Sequence, residues 1–235
     1  MPERSPICRP MALEIPQKPS PYELLLVSLM AVGLFFFLDQ NFALMIDQPT
    51  WESLRYWARE VTNVGLGDWW YGLTVGTFLF CRFLTPQLKS MTSESLKKSK
   101  ELMRWSFLSF VGLTASGLAL QVIKHIVGRQ RPHVSPEHIA NIFDPLTLHW
   151  HWHSFPSGHA QVLGSAAAAF CLLRPKAKIA IIAVAFGFAL TRPITLQHFL
   201  SDIWVGFFLG YWGSQAAYRW AQSHSKFAYS RLGIE

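Results

Sequence analysis

SFPSGHAQVLGSAAAAFCLL, residues 154–173, places polar, turn-forming chemistry directly against an apolar run. From Val162 to Leu173 nearly every side chain is apolar or small, as a helix enclosed by other helices or by lipid requires. Its opening residues are Pro156, Ser157, Gly158 and His159. A helix starting here presents the free N–H groups of its first turn, and its positive dipole end, to whatever lies above it. Pro156 is expected to pre-set the helical φ, Ser157 to cap, and Gly158 to let an oxyanion approach the backbone. His159 then stands within a turn of a bound anion, placed to move a proton. Alone, such a stretch is more often a capped helix with a surface histidine; the flanking sequence changes that reading.

That flanking sequence belongs to a membrane. Of the 235 residues, 51% are hydrophobic and 15% charged, against about 25% charged in soluble domains. Apolar runs long enough to cross the hydrocarbon core fall at 22–46, 66–84, 103–123, 157–173, 177–191 and 199–218. The expected fold is therefore all-α, a polytopic membrane protein with a bundle of six transmembrane helices. Residues 1–21 form an arm, 22–220 the membrane domain and 221–235 a tail. The first span ends at an interface marked by Asp39, Gln40 and Asn41. Residues 50–62 carry Trp51, Leu54, Trp57, Ala58 and Val61 on one face, the pattern of a helix lying in the interface or packed on its neighbours. Residues 85–102, rich in Lys and Ser, read as a loop. Residues 125–156 are polar and histidine-rich, and Arg174-Pro175-Lys176 is a tight connection. Cys81 and Cys171 lie in apolar runs and Cys8 in the arm, so no disulfide framework is implied. No cleavable leader is expected, and there is no internal repeat.

Six spans put both termini on one side, and positive charge says which. That side carries 15 of the 21 Lys and Arg; the other carries Arg55, Arg59, Lys124, Arg129, Arg131 and Arg192. The termini are expected in the cytoplasm and the Pro156–His159 stretch outside. The net charge of +7 is then an orientation signal, and no nucleic-acid partner is implied.

Alternating topology also gathers the chemically suggestive residues on the outer side. Lys124 and Arg131 end the third span, Ser157, Gly158 and His159 open the fourth, and Arg192, His198 and Asp202 lie between the fifth and sixth. Three cations at a membrane surface are costly unless an anion binds them, and arginine suits phosphate. His198 and Asp202 are spaced i, i+4; on a helix the carboxylate would hold one imidazole nitrogen and leave the other as nucleophile. His159 would donate a proton to the leaving oxygen. This is phosphoryl transfer through a phosphohistidine, with no metal required. It implies a bell-shaped pH dependence, with His198 neutral and His159 protonated.

Lys124 with Arg131-Pro132, Pro156-Ser157-Gly158-His159, and Arg192 with His198 and Asp202 together resemble the three-part signature of the type 2 phosphatidic acid phosphatase family. The spacings fit: six residues between Lys124 and Arg131, five between Arg192 and His198, three between His198 and Asp202. The resemblance implies a metal-independent phosphatase of membrane lipids, without cofactor, in a cell inner membrane. His198 would be the nucleophile, Asp202 its orienter and His159 the general acid; Lys124, Arg131, Ser157, Gly158 and Arg192 would cradle the phosphate. Thr191 stands where the family usually has serine. Pro193 follows Arg192 where an aliphatic residue is usual, and is expected to bias that arginine away from helical backbone.

In bacteria, relatives of this kind act on undecaprenyl pyrophosphate, phosphatidylglycerol phosphate, phosphatidic acid or lipid A phosphates. A lipid-to-lipid phosphotransferase on the same phosphohistidine, and a non-enzymatic lipid-binding member, are the alternatives. Arg129 and Gln130 read as solvated or headgroup contacts, and His125, His133 and His138 carry no role. The alternating histidines of His149–His153 would share one face of an extended strand, as metal ligands can. Lacking an acidic partner and interleaved with tryptophans, they read instead as a loop at the site entrance. Asp68, Trp69 and Trp70 read as an interface anchor.

Overall fold

The structure, a computed structural model, describes residue 13 and residues 15–85 and 92–224. Most of the expected arm and tail, and Cys8, lie outside the described residues. Among those described the chain is helical, with one isolated antiparallel bridge between Arg129 and Phe143.

Helix α1, Pro21–Asp47, begins where Ser20 Oγ accepts from the Glu23 amide (3.2 Å) and the Glu23 carboxylate accepts from the Ser20 amide (2.7 Å), closing two free N–H groups reciprocally. A π-helical turn at Leu34–Leu38 interrupts it, and the Asp39 amide bonds back to the Leu34 carbonyl. Helix α2 is Glu52–Val61; one edge packs on the turn Thr191–Ile194 while Tyr56 and Trp57 are exposed. Helix α3, Gly67–Leu79, continues through a second wide turn at Phe80–Leu84.

Helix α4 runs 35 residues, Ser93–Val127, so residues 93–102 are helical where a loop was expected. Thr92 accepts from the Ser95 amide (3.2 Å), and Glu94 pairs with Lys98 at 2.8 Å. A cap, helix-forming residues and continuity with a span suffice here without an apolar face. Helix α5 is Gly158–Leu173, α6 is Lys178–Ala189, and α7 is Leu200–Ser223. Among the described residues three helical segments are long and apolar enough to cross a membrane: Pro21–Asp47, Ser93–Val127 and Pro175–Ile194. Helix α5 is apolar but has 16 residues, about 24 Å at 1.5 Å per residue.

The core lies where α4, α5 and α7 meet, around Leu108, Ala160, Leu163, Ala168, Ile203, Phe207 and Tyr218. The α5–α7 contact is backbone on backbone. A Cβ on Gly210 would lie 2.0 Å from the Gln161 carbonyl oxygen, and one on Gly206 would lie 2.4 Å from that of Ser157. Gly206 and Gly210 are one helical turn apart, the small-residue spacing that lets membrane helices touch. Alongside runs a buried polar seam, in which Gln161 Nε2 donates to Ser116 Oγ (2.7 Å) and Ser165 Oγ (3.0 Å). The seam ties α5 to α4, and the Ser157 amide, donating to the Asp202 carbonyl (3.0 Å), holds the Ser157–His159 corner against the first turn of α7.

Candidate active site

The three expected segments meet at one end of the α4–α5–α7 core. Helix α4 stops because Gly128 turns left-handed (φ 57°, ψ 49°) and its amide closes on the Lys124 carbonyl. A Cβ at Gly128 would sit 1.8 Å from the Asp144 carbonyl oxygen, so only glycine fits. The chain beyond is stitched to its neighbours: the Ser154 amide donates to the Arg129 carbonyl (2.9 Å), that of Arg131 to His151 (2.9 Å), and that of His133 to Leu196 (3.1 Å). Helix α5 starts at Gly158 with Ser157 as its cap, accepting from the Ala160 amide. Pro156 precedes the cap and lies outside the helix, so its expected role in pre-setting helical φ does not arise.

Three cations surround this corner. Lys124 Nζ, buried at the end of α4, is 3.7 Å from where a Cβ of Gly158 would be. Lys124, Arg131 and Arg192 are within electrostatic reach of one another, of His159 and, for the arginines, of His198. Arg131 donates to neutral oxygens, Trp150 O (3.2 Å), Gln197 Oε1 (3.2 Å) and His153 O (3.5 Å), with its guanidinium 5.2 Å from the Trp150 ring centre. Arg192 Nη1 donates to Thr62 Oγ1 (3.4 Å), while its Nε is buried without a partner among the described residues. No carboxylate pairs with these three among the described residues. Arg192 sits in the helical turn Thr191–Ile194, contrary to the bias expected from Pro193. That turn restarts where α6 ends, and a proline in a first helical turn forfeits no hydrogen bond.

His159 lies under Gly65, where an added Cβ would be 3.0 Å from its Cδ2. It lines a cleft of about 320 Å³ with Gly158, Gln161, Tyr71, Thr114 and Gln121. His198 is buried, and its Nδ1 lies 2.7 Å from the Ser154 carbonyl oxygen. A carbonyl only accepts, so Nδ1 carries the proton and Nε2 the lone pair. Burial pushes the His198 pKa well below the ordinary imidazole value; Asp202 opposes that shift, and Arg131 and Arg192 add to it.

Asp202 does not hold His198 as its i, i+4 spacing led us to expect. Its Oδ2 is 3.8 Å from Nδ1, beyond hydrogen-bond reach, because His198 precedes α7. Asp202 Oδ2 instead accepts from the Phe199 amide (2.8 Å), starting the helix, and from Ser154 Oγ (2.5 Å). Its Oδ1 accepts from Arg129 Nη1 (2.5 Å). Asp202 therefore reaches His198 through Ser154 and through its charge. Arg129, read above as solvated or touching headgroups, is 1% exposed. It also donates to Ala140 O (2.9 Å), Ser201 Oγ (2.8 Å) and Asp39 Oδ2 (2.8 Å).

Sequence reasoning gives Ser154 and Thr62 no role and reads Arg129 and Asp39 as surface residues, a solvated or headgroup contact and an interface marker, whereas Arg129 and Asp39 are buried. Only Asp39 left a signal, an acid immediately after a long apolar run. Trp150–Trp152 forms a single 3-10 turn, so the three nearby histidines share no strand face. No group of three or more His, Cys, Asp or Glu suited to a metal ion occurs among the described residues.

A family model described as the PAP2 superfamily matches residues 105–226. A lipid A 1-phosphatase of Rhizobium etli is 30% identical over 174 residues, which cover 73% of this chain and 75% of that protein. One of Rhizobium johnstonii is 33% identical over 125 residues, 51% of each chain. Among solved structures, Aquifex aeolicus LpxE aligns with a TM-score of 0.51 at 18% identity, over 78% of this chain and 96% of its own. A PAP2-type phosphatidylglycerolphosphate phosphatase of Bacillus subtilis aligns with a TM-score of 0.55 at 19% identity, over 86% and 97%. These two likenesses show the fold. By the family match across half its length and its resemblance to a relative along most of it, the chain belongs to the PAP2 superfamily, the type 2 phosphatidic acid phosphatases.

Proposed function

We propose that the protein is a metal-independent membrane lipid phosphatase that hydrolyses a phosphomonoester or pyrophosphate headgroup of a cell-envelope lipid through a phosphohistidine. One observation carries this reading: three cations converge on two histidines with no carboxylate paired to them among the described residues, while Asp202 is turned away onto Arg129. A site so short of negative charge is built for an anion, and Arg192 Nε is left over for one. The relatives named as lipid A 1-phosphatases favour the lipid A phosphate class.

In the proposed reaction Lys124, Arg131 and Arg192, with the Gly158 backbone at the Ser157-capped helix start, hold the phosphate. The Nε2 lone pair of His198 attacks phosphorus. The bond from phosphorus to the lipid oxygen breaks, and His159 gives that oxygen its proton. Asp202 stabilises the charge on the phosphorylated imidazole. Water then attacks phosphorus, the electron pair of the P–N bond returns to Nε2, His159 takes the water's proton, and phosphate leaves. We further propose six spans, α1, α3, α4, α5, α6 and α7, within a membrane domain at 22–220. Both termini are then cytoplasmic and the site faces the periplasm across an inner membrane.

The test is phosphate release by detergent-purified protein in EDTA, for wild type and His198→Ala. The lipids are lipid A, undecaprenyl pyrophosphate, phosphatidylglycerol phosphate and phosphatidic acid. Wild type should release phosphate, and the variant should lose more than about a thousandfold. Release by both proteins alike would sink the phosphohistidine, and phosphorylated lipid in place of free phosphate would make the protein a transferase.

A further inference from the structure

We propose that Asp39 and Arg129 are positioning residues for the nucleophile, acting through Asp202 and Ser154; this rests on the phosphohistidine reading above. Arg129 is inserted beneath the site from the end of α4, its guanidinium 4.2 Å from the Phe199 ring centre and 4.9 Å from that of Phe35. It bridges two carboxylates that are themselves buried: Nη2 to Asp39 and Nη1 to Asp202. Asp39 is tied in again, its Oδ1 accepting from the Ser201 amide (2.9 Å) and its Oδ2 from the Ser201 hydroxyl.

The chain of contacts ends at the reacting group. Asp202 Oδ2 accepts from Ser154 Oγ, and the Ser154 carbonyl accepts from His198 Nδ1. Every carboxylate oxygen in the cluster has a donor. A fully satisfied buried network has one geometry, and a half-satisfied one has several. Burying an arginine and two aspartates costs more desolvation than their pairing is sure to return, so stability alone does not account for the cluster. Its place does: Arg129 lies two residues before Arg131, and Asp202 Oδ2 is 3.8 Å from His198 Nδ1. Asp39 belongs to α1, outside the residues 105–226 that match the family model. An element away from the three motifs thus sets the orientation of the nucleophile.

Neither residue reaches the phosphate-holding groups Lys124, Arg131 or Arg192, so their loss should act on turnover and not on binding. Asp39→Asn should lower kcat about 10- to 100-fold with KM unchanged. In an Asp202→Asn background the same substitution should cost nothing further, because residues acting through a common group are not additive. A purely structural role would instead multiply the two losses, or leave kcat per folded molecule at the wild-type value, and either result overturns the proposal. Folding is followed by monodisperse elution and a cooperative thermal transition. Should Asp39→Asn not fold, Ser201→Ala removes one bridge of the cluster and keeps its charges. It should lower kcat about 3- to 10-fold at constant KM, and a wild-type kcat there overturns the proposal. His198→Ala in the same assay separates the two ideas. If His198→Ala stays active, the phosphohistidine itself has failed; if it is inactive while Asp39→Asn turns over like wild type, only the positioning role has.

Discussion

The Nδ1–H of His198 is spent on the Ser154 carbonyl, which leaves Nε2 with its lone pair, so in the proposed reaction the neutral imidazole is the reactive state. Because burial lowers its pKa, the neutral form persists as pH falls, and competence is lost only when pH drops through that lowered value. The acid limb of kcat/KM should therefore lie below about 6.5, the ordinary imidazole value. A limb at or above that value, measured on the free enzyme with a saturable lipid substrate, would contradict the buried, Ser154-bonded imidazole. The positions of Lys124, Arg131, Ser157, Gly158, His159, Arg192, His198 and Asp202 were readable because their spacings are local and their chemistry converges. How Asp202 acts was not. Spacing i, i+4 implies a hydrogen bond only if a helix includes both residues, and here the carboxylate itself sets the helix start two residues after His198. Nor does sequence distinguish a buried Arg129 from a solvated one, since that depends on Asp39, 90 positions away.

Between elements, the close α5–α7 contact at Gly206 and Gly210 holds the Ser157–His159 corner against the first turns of α7. The Ser157 amide donates to the Asp202 carbonyl at 3.0 Å, at the level where Gly206 touches Ser157. Gly206→Ala places a methyl 2.4 Å from a backbone oxygen, and no side-chain rotation relieves that. Overpacking of this kind costs about 1–3 kcal/mol. A displacement of about 1 Å between reacting groups can cost about a hundredfold in rate. Gly206→Ala should therefore lose both thermal stability and turnover, whereas Gly187→Ala, which meets nothing within 4 Å, should lose neither. Wild-type turnover in Gly206→Ala would mean that this contact does not govern the site. The apolar runs made the principal helices legible. Residues 93–102 and the turn Thr191–Ile194 escaped because caps and helix restarts, without apolar periodicity, decide them.

Across the whole molecule, α1 is fastened to α7 at two heights. Trp204 Nε1 donates to the Val27 carbonyl at 3.0 Å, and Asp39 is clasped by Ser201 and Arg129. Most of the helix between these points turns its side chains outward, with Leu29, Phe36 and Phe37 exposed. A helix held at two points must keep its phase between them, and the π-helical turn at Leu34–Leu38 carries one residue more than a regular α-helix would. Deleting one residue between Leu34 and Leu38 should thus be absorbed by conversion of that turn to α-helix, leaving Asp39 clasped and phosphatase turnover near wild type. Deleting two leaves nothing to absorb the second and rotates Asp39 by about 100° toward the lipid. Turnover in the two-residue deletion should then fall at least as far as in Asp39→Asn; equal turnover in both deletions would show that α1 has no fixed phase. On the proposed reaction, the wide turn would give α1 a tolerance of one: a change in length by a single residue before the proposed nucleophile, His198, loses its support.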